Sequence, residues 1–121
     1  MDTSQYLDMF LDESREHLQL CTDKLLELEQ TPEDISIVNE IFRAAHTLKG
    51  MSATMGYDDI TDLTHKMENV LDAIRNEEIQ VTTEILDVVF EAVDYLEEMV
   101  DDIEGGGDGE KDVRQLVGAL Q

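Results

Sequence analysis

Residues 44 to 50, Ala44-Ala45-His46-Thr47-Leu48-Lys49-Gly50, hold the groups best placed to do chemistry. Through this stretch Ile37, Ile41, Ala44, Leu48, Met51 and Met55 recur in alternating steps of four and three, one face of a helix turned toward a core. At about 100° per residue, His46 falls roughly 180° from the middle of that stripe and belongs to the outer face. Lys49 stands one turn further on, and Gly50 leaves a bare spot at the i+4 position. An outward imidazole beside a cation and a gap suits an incoming group that carries negative charge.

Neutral imidazole is a competent nucleophile near pH 7. A carboxylate that accepts its Nδ1–H fixes the tautomer, leaves Nε2 free and holds the ring, as in catalytic triads. If the second and third helices form a hairpin turning near Gly56–Tyr57, residues whose numbers sum to about 114 stand at the same height. His46 is then level with Glu68, and Lys49 with His65. His46 and Glu68 are displaced from their stripes in the same rotational sense, so both face the shared groove or both face away. The handedness of the bundle decides between these, and spacing does not fix it. Where the contact forms, Glu68 orients the ring and Lys49 offsets charge on a phosphoryl group arriving at Nε2.

Other residues fit plainer roles. His65 is a participant or a bystander in the same groove, and His17 lies on the flank of the first stripe. Phe42, one turn before His46, is either an apolar docking spot or a half-buried packing residue. Nothing marks Thr47 or Ser52 beyond their hydroxyls, and the methionines read as core filler. Di-metal bundles need Glu-x-x-His pairs pointing inward; the nearest match here is Asp62-x-x-His65, with His65 on the outer face. The sequence has neither a Walker-type phosphate loop nor cysteine-based zinc spacing, so we expect no cofactor and no metal in this domain.

The elements that must carry these groups follow from the same periodicity. Asp2, Thr3 and Ser4 offer caps for a first helix, in which Leu7, Leu11, Ser14, Leu18, Cys21, Leu25 and Leu28 recur to about residue 29. Pro32 breaks the pattern in Thr31-Pro32-Glu33-Asp34. The second helix runs from about Ile35 to Met55, with Gly56 beyond its end and Asp58 or Asp59 as the next cap. A third turns Ile60, Leu63, Met67, Val70 and Ile74 inward and ends near Asn76. Thr82 or Thr83 opens a fourth, striped by Ile85, Val89, Ala92, Leu96, Met99 and Ile103.

Gly105-Gly106-Gly107-Asp108-Gly109 is too rich in glycine to continue a helix. Val113, Leu116, Val117 and Leu120 then suit a short fifth one. The spacing thus predicts an all-α fold, an antiparallel up-down-up-down four-helix bundle over residues 1–104, a glycine linker at 105–109 and a short amphipathic helix at 110–121.

Charge narrows the partners. Eight Lys and Arg face 30 Asp and Glu, a formal net charge of −22. Nucleic acid is excluded, since phosphate contacts need basic clusters, and anionic membrane surfaces are disfavoured. No apolar run approaches the roughly 20 residues of a membrane span, and no signal peptide opens the chain. The lone Cys21 excludes an internal disulfide and reads as a small buried hydrophobe. These features predict a cytoplasmic, monomeric domain.

At Phe42-Arg43-Ala44-Ala45-His46-Thr47-Leu48-Lys49-Gly50-Met51-Ser52 and Met55-Gly56-Tyr57, the sequence resembles the histidine phosphotransfer (HPt) domain of bacterial chemotaxis histidine kinases of the CheA family. The resemblance continues through His65-Lys66-Met67-Glu68-Asn69-Val70-Leu71-Asp72, and Tyr6-Leu7-Asp8-Met9-Phe10 with Glu13-Ser14 is similar too. It covers about residues 1 to 104. It implies that His46 is a phospho-acceptor at Nε2 and that Glu68 orients the ring. It further implies that Lys49 and His65 support the phosphoryl group and that Gly50 allows close approach. The implied donor is ATP on the kinase's own catalytic domain. The implied acceptors are aspartates of response regulators of the CheY and CheB type, which hold Mg²⁺. The domain would be the phospho-accepting part of a longer transferase. An acidic helical adaptor that binds a partner without chemistry is the competing reading.

Overall fold

Amphipathic stripes with no strand alternation can be buried only by packing helices together. In a computed structural model describing residues 3–107 and Gly109 there are four: α1 (Thr3–Gln30), α2 (Ile35–Met55), α3 (Asp58–Arg75) and α4 (Thr83–Glu104). No strand occurs among the described residues. The helix expected at 110–121 lies outside them, as does Asp2; Thr3 and Ser4 lie within α1.

Each helix packs on its neighbours in sequence, and α1 also closes on α4, while the backbones of the diagonal pairs α1–α3 and α2–α4 do not approach closely. The closest packing joins α2 to α3, the pair linked by the two-residue turn Gly56–Tyr57. Short connections between sequential neighbours make the bundle up-down-up-down. Its centre is filled by Leu18, Leu25, Ile41, Leu48, Leu63, Met67, Leu96 and Met99. Cys21 is buried there as well, and burial pushes its thiol up to about 12, which keeps it protonated and unreactive.

Local sequence sets the ends. Asp34 caps α2 by accepting from the Ser36 N–H at 3.0 Å, and Thr82 caps α4 by accepting from the Ile85 N–H at 3.2 Å. Neither Asp58 nor Asp59 caps α3. The short turn makes Tyr57 the cap residue, without a side-chain cap bond, and both aspartates fall in the first turn, where their charge favours the helix dipole. Gly105 ends α4, and the Gly109 N–H folds back onto Asp102 Oδ2 at 3.0 Å.

The apolar stripes sit where periodicity put them, with three adjustments: toward the end of α2, Met51 and Met55 are only half-buried and Ser52 is buried instead, and two more fall in α1 and α4. Near the start of α1, Leu7 and Leu11 are only half-buried, and Phe10 takes the core position, its ring 5.1 Å from that of Tyr57. At the start of α4, Leu86 is buried and Ile85 half-buried.

Candidate functional site

Ala44, Ala45 and Leu48 anchor the inner face of α2, so the intervening His46 is held outward with its side chain 64% exposed. On α3, Met67 and Leu71 fix the buried face, and Glu68 beside them has a side chain only 7% exposed. Withdrawing a carboxylate from water is costly unless both oxygens find partners. Glu68 finds two. Its Oε1 lies 2.6 Å from His46 Nδ1, which donates to it, and its Oε2 lies 2.6 Å from Lys49 Nζ. The level-matching of His46 with Glu68 is therefore realised, and both face the α2–α3 groove.

One partner differs from the level-matched expectation. Lys49, level with His65, reaches back to Glu68 instead, because the long flexible amine can follow the buried charge. His65 is exposed on α3, one turn before Glu68, and among the described residues it makes no hydrogen bond or ion pair with His46, Lys49 or Glu68. Gly50 is exposed, and a Cβ added there would meet nothing within 4 Å, so the gap beside His46 is real and none of the described residues fills it.

Two supports escaped sequence reasoning. Below the site, Ser52 Oγ stands 2.8 Å from Thr61 Oγ1, and each hydroxyl also lies 3.0 Å from a carbonyl, that of Lys49 and that of Tyr57 respectively. This polar staple joins α2 to α3 where their register sets the His46–Glu68 distance. Beside the site, the Phe42 ring lies nearly parallel to the imidazole (5°) with centroids 6.2 Å apart. The Arg75 guanidinium covers Phe42 at 4.0 Å from its centroid and is itself held by Asp72 at 2.7 Å. Phe42 is thus half-buried packing, flanking the histidine. No spacing rule predicts a cation–π contact between helices; a buried serine one turn from a lysine was the available hint for the staple.

The arrangement is a reactive surface, not a pocket. A groove of about 620 Å³, lined by Pro32, Ile35, Ile74, Ile79 and Val81 among others, opens at the end of the bundle away from the Gly56 turn and does not include His46. Chemically, the site offers a solvent-facing Nε2, an Nδ1–H locked onto a buried anion, and an ammonium one turn away. That suits attack by Nε2 on an electrophile bearing negative charge, with Glu68 offsetting the positive charge that the ring gains. Among the described residues no group of three or more His, Cys, Asp or Glu is placed to hold a metal ion. No helix among them is long and apolar enough to cross a membrane.

Comparison with known proteins gives a consistent picture. The Hpt domain family model matches residues 5–106. The chain is 60% identical over 120 residues to the chemotaxis protein CheA of Bacillus subtilis, covering 99% of this chain and 18% of that protein. It is 50% identical over 119 residues to CheA of Listeria monocytogenes, covering 98% of this chain and 19% of that one. Among solved structures, the CheA phosphotransferase domain from Thermotoga maritima superposes with a TM-score of 0.82 at 50% identity, covering 85% of this chain and 98% of that chain. A solution structure of the histidine phosphotransfer domain of CheA gives 0.86 at 46% identity, covering 98% and 91%. The chain spans less than a fifth of the length of these curated relatives.

Proposed function

This chain belongs to the Hpt domain family, and on that premise we propose that it relays phosphoryl groups through His46. The observation that carries the reading is the 2.6 Å bond from Nδ1 of an exposed imidazole to a buried carboxylate. The Nε2 lone pair attacks the γ-phosphorus of ATP held by a kinase catalytic domain; the N–P bond forms as the P–O bond to ADP breaks. The Nδ1 proton stays in place, and the ring, now formally cationic, is stabilised by Glu68. Transfer onward reverses the polarity. An aspartate oxygen of a response regulator of the CheY or CheB type attacks phosphorus, the N–P bond breaks, and the electron pair returns to Nε2.

In this scheme Lys49 offsets the phosphoryl charge, Gly50 lets a partner surface approach, and His65, one turn before Glu68 on α3, supports the phosphoryl group. ATP and Mg²⁺ belong to partner domains; this domain holds no cofactor of its own and works as a cytoplasmic monomer. The B. subtilis and L. monocytogenes relatives, named as chemotaxis proteins, support a place in a chemotaxis kinase. An adaptor without chemistry gives no account of a buried carboxylate aimed at a solvent-facing imidazole.

The test is incubation with the kinase catalytic domain and ATP. The unaltered chain should acquire an acid-labile, base-stable phosphate, and His46→Gln should acquire none while keeping its helical circular dichroism. Labelling that survives His46→Gln would end the proposal.

A further inference from the structure

Charge is distributed unevenly over the four helices. α4 carries nine Asp and Glu and no Lys or Arg. Between Asp34 and Asp58, a stretch containing all of α2, the single acid is Glu40, and Lys24 of α1 lies 3.1 Å from its carboxylate. α2 and α4 are diagonal in the bundle. The helix that bears His46 is therefore the least acidic, and it faces away from the most acidic.

Two cations flank His46, Arg43 one turn before it and Lys49 one turn after. Lys49 is held by Glu68 at 2.6 Å. Arg43 is exposed, and among the described residues no carboxylate pairs with it, although the chain has 30 Asp and Glu. The other described cation without a carboxylate partner is Lys66, which is half-buried on α3; Arg15, Lys24 and Arg75 are all paired. An uncommitted guanidinium on an almost acid-free face, next to the open space at Gly50, is arranged for a carboxylate that comes from elsewhere.

We propose that Arg43 and the outer face of α2 steer a carboxylate-rich receiver surface onto His46, with the acidic α4 face disfavouring encounters from behind. The inference rests on the phosphoryl-relay reading and adds to it the residue that governs encounter. Neighbouring helix axes in such bundles lie about 8–10 Å apart, so the diagonal α4 charges stand well over a Debye length, about 8–10 Å at physiological salt, from a partner on α2. The nine α4 acids are thereby largely screened from a partner that docks on α2.

The experiment loads His46 with phosphate using the kinase catalytic domain and ATP, then follows transfer to a purified CheY-type receiver domain at several salt concentrations. If net charge governed encounter, two anionic proteins would meet faster as salt screened their repulsion. With steering through Arg43, the second-order rate instead falls as salt rises. Arg43→Gln should lower that rate about three- to tenfold at low salt and flatten its salt dependence. The first-order transfer rate at saturating receiver should stay within about twofold, because Arg43 touches none of the reacting atoms. Glu91→Gln, which removes an exposed charge on α4, should leave both rates unchanged. A rate that rises with salt, or an Arg43→Gln protein that encounters the receiver as fast as the unaltered chain, overturns the inference alone. Failure of His46 to load overturns the relay reading and this inference with it.

Discussion

Lys49 and His46 share one carboxylate without competing for it: Lys49 Nζ lies 2.6 Å from Oε2 of Glu68, and His46 Nδ1 lies 2.6 Å from Oε1. The ammonium offsets part of the buried negative charge, and the remainder is available to the ring that becomes cationic when phosphorylated. Glu68→Gln keeps the shape and an acceptor for Nδ1–H but removes the charge. It should slow phosphorylation of His46 by at least about tenfold, the lower end of what losing the partner that orients a functional histidine costs. The variant should remain folded, since a neutral amide costs less to bury than an anion. Single-turnover phosphorylation together with circular dichroism checks both halves; unchanged kinetics would show that the 2.6 Å bond has no chemical role.

Gly50 sits in mid-helix, where glycine costs about 0.5–1 kcal/mol relative to alanine, and no packing among the described residues requires it. Gly50→Ala should therefore stabilise the domain by about that amount in urea unfolding. A bulkier Gly50→Leu should fold equally well and yet slow transfer to a receiver, with small-molecule access to His46 unaffected. Loss of stability in Gly50→Ala would mean that the glycine serves the fold and not an incoming surface.

Periodicity located the four helices because each buries a face with period 3.6, but a strict four-three stripe covers only the middle of that face. In a bundle each helix touches two neighbours, so residues flanking the stripe are buried too: Val38 and Ala45 on α2, Leu71 on α3, Val93 and Val100 on α4. For the site, the heights of His46 and Glu68 follow from helical rise alone, whereas their facing one another depends on bundle handedness, a property of side-chain packing between helices. Arg75 on Phe42 depends on the rotamer of one long side chain and leaves no periodic trace. Ser14 shows a different limit. It lies on the stripe and is fully buried as its position demands, yet among the described residues its hydroxyl has no hydrogen-bond partner, which no pattern of apolar residues reveals.

The acidic face of α4 predicts an unusual pH response. Desolvation, then Asp94 and Asp101, raise the Glu97 carboxyl above its ordinary 4.5. A carboxyl whose folded value is raised binds more protons when folded than when unfolded, so this group adds stability as pH falls through its raised value. The destabilisation is fully present above that value and absent below the unfolded one. Glu97→Gln should therefore melt at a higher temperature than the unaltered chain at pH 7, with the difference shrinking as pH falls and vanishing near pH 4. Glu97 is exposed, and solvent screening keeps the effect below about 1 kcal/mol. Asp34 has the opposite sign: its bonds to Ser36 lower its carboxyl, so its capping contribution is lost at acid pH. A double variant with Asp34→Asn separates the two.

α2 and α3 end in the same backbone motif built on different residues. In α2, the Gly56 N–H bonds the Ala53 carbonyl at 3.2 Å and the Tyr57 N–H bonds the Ser52 carbonyl at 2.9 Å. In α3, the Glu77 N–H bonds the Ile74 carbonyl at 3.1 Å and the Glu78 N–H bonds the Ala73 carbonyl at 2.9 Å. Both are Schellman caps, whose turning residue must be left-handed, and φ is 81° at Gly56 and 62° at Glu77. Glycine adopts that region freely, while a residue with a Cβ is disfavoured there by about 1–2 kcal/mol. Against this stands the larger chain entropy that glycine loses on folding, about 0.5–1 kcal/mol. The balance predicts that Glu77→Gly stabilises the domain by about 0.5–1 kcal/mol. Glu77→Ala removes the same negative charge and keeps the Cβ, so it should gain little. Equal gains from the two in urea unfolding would assign the effect to charge and would refute the backbone account.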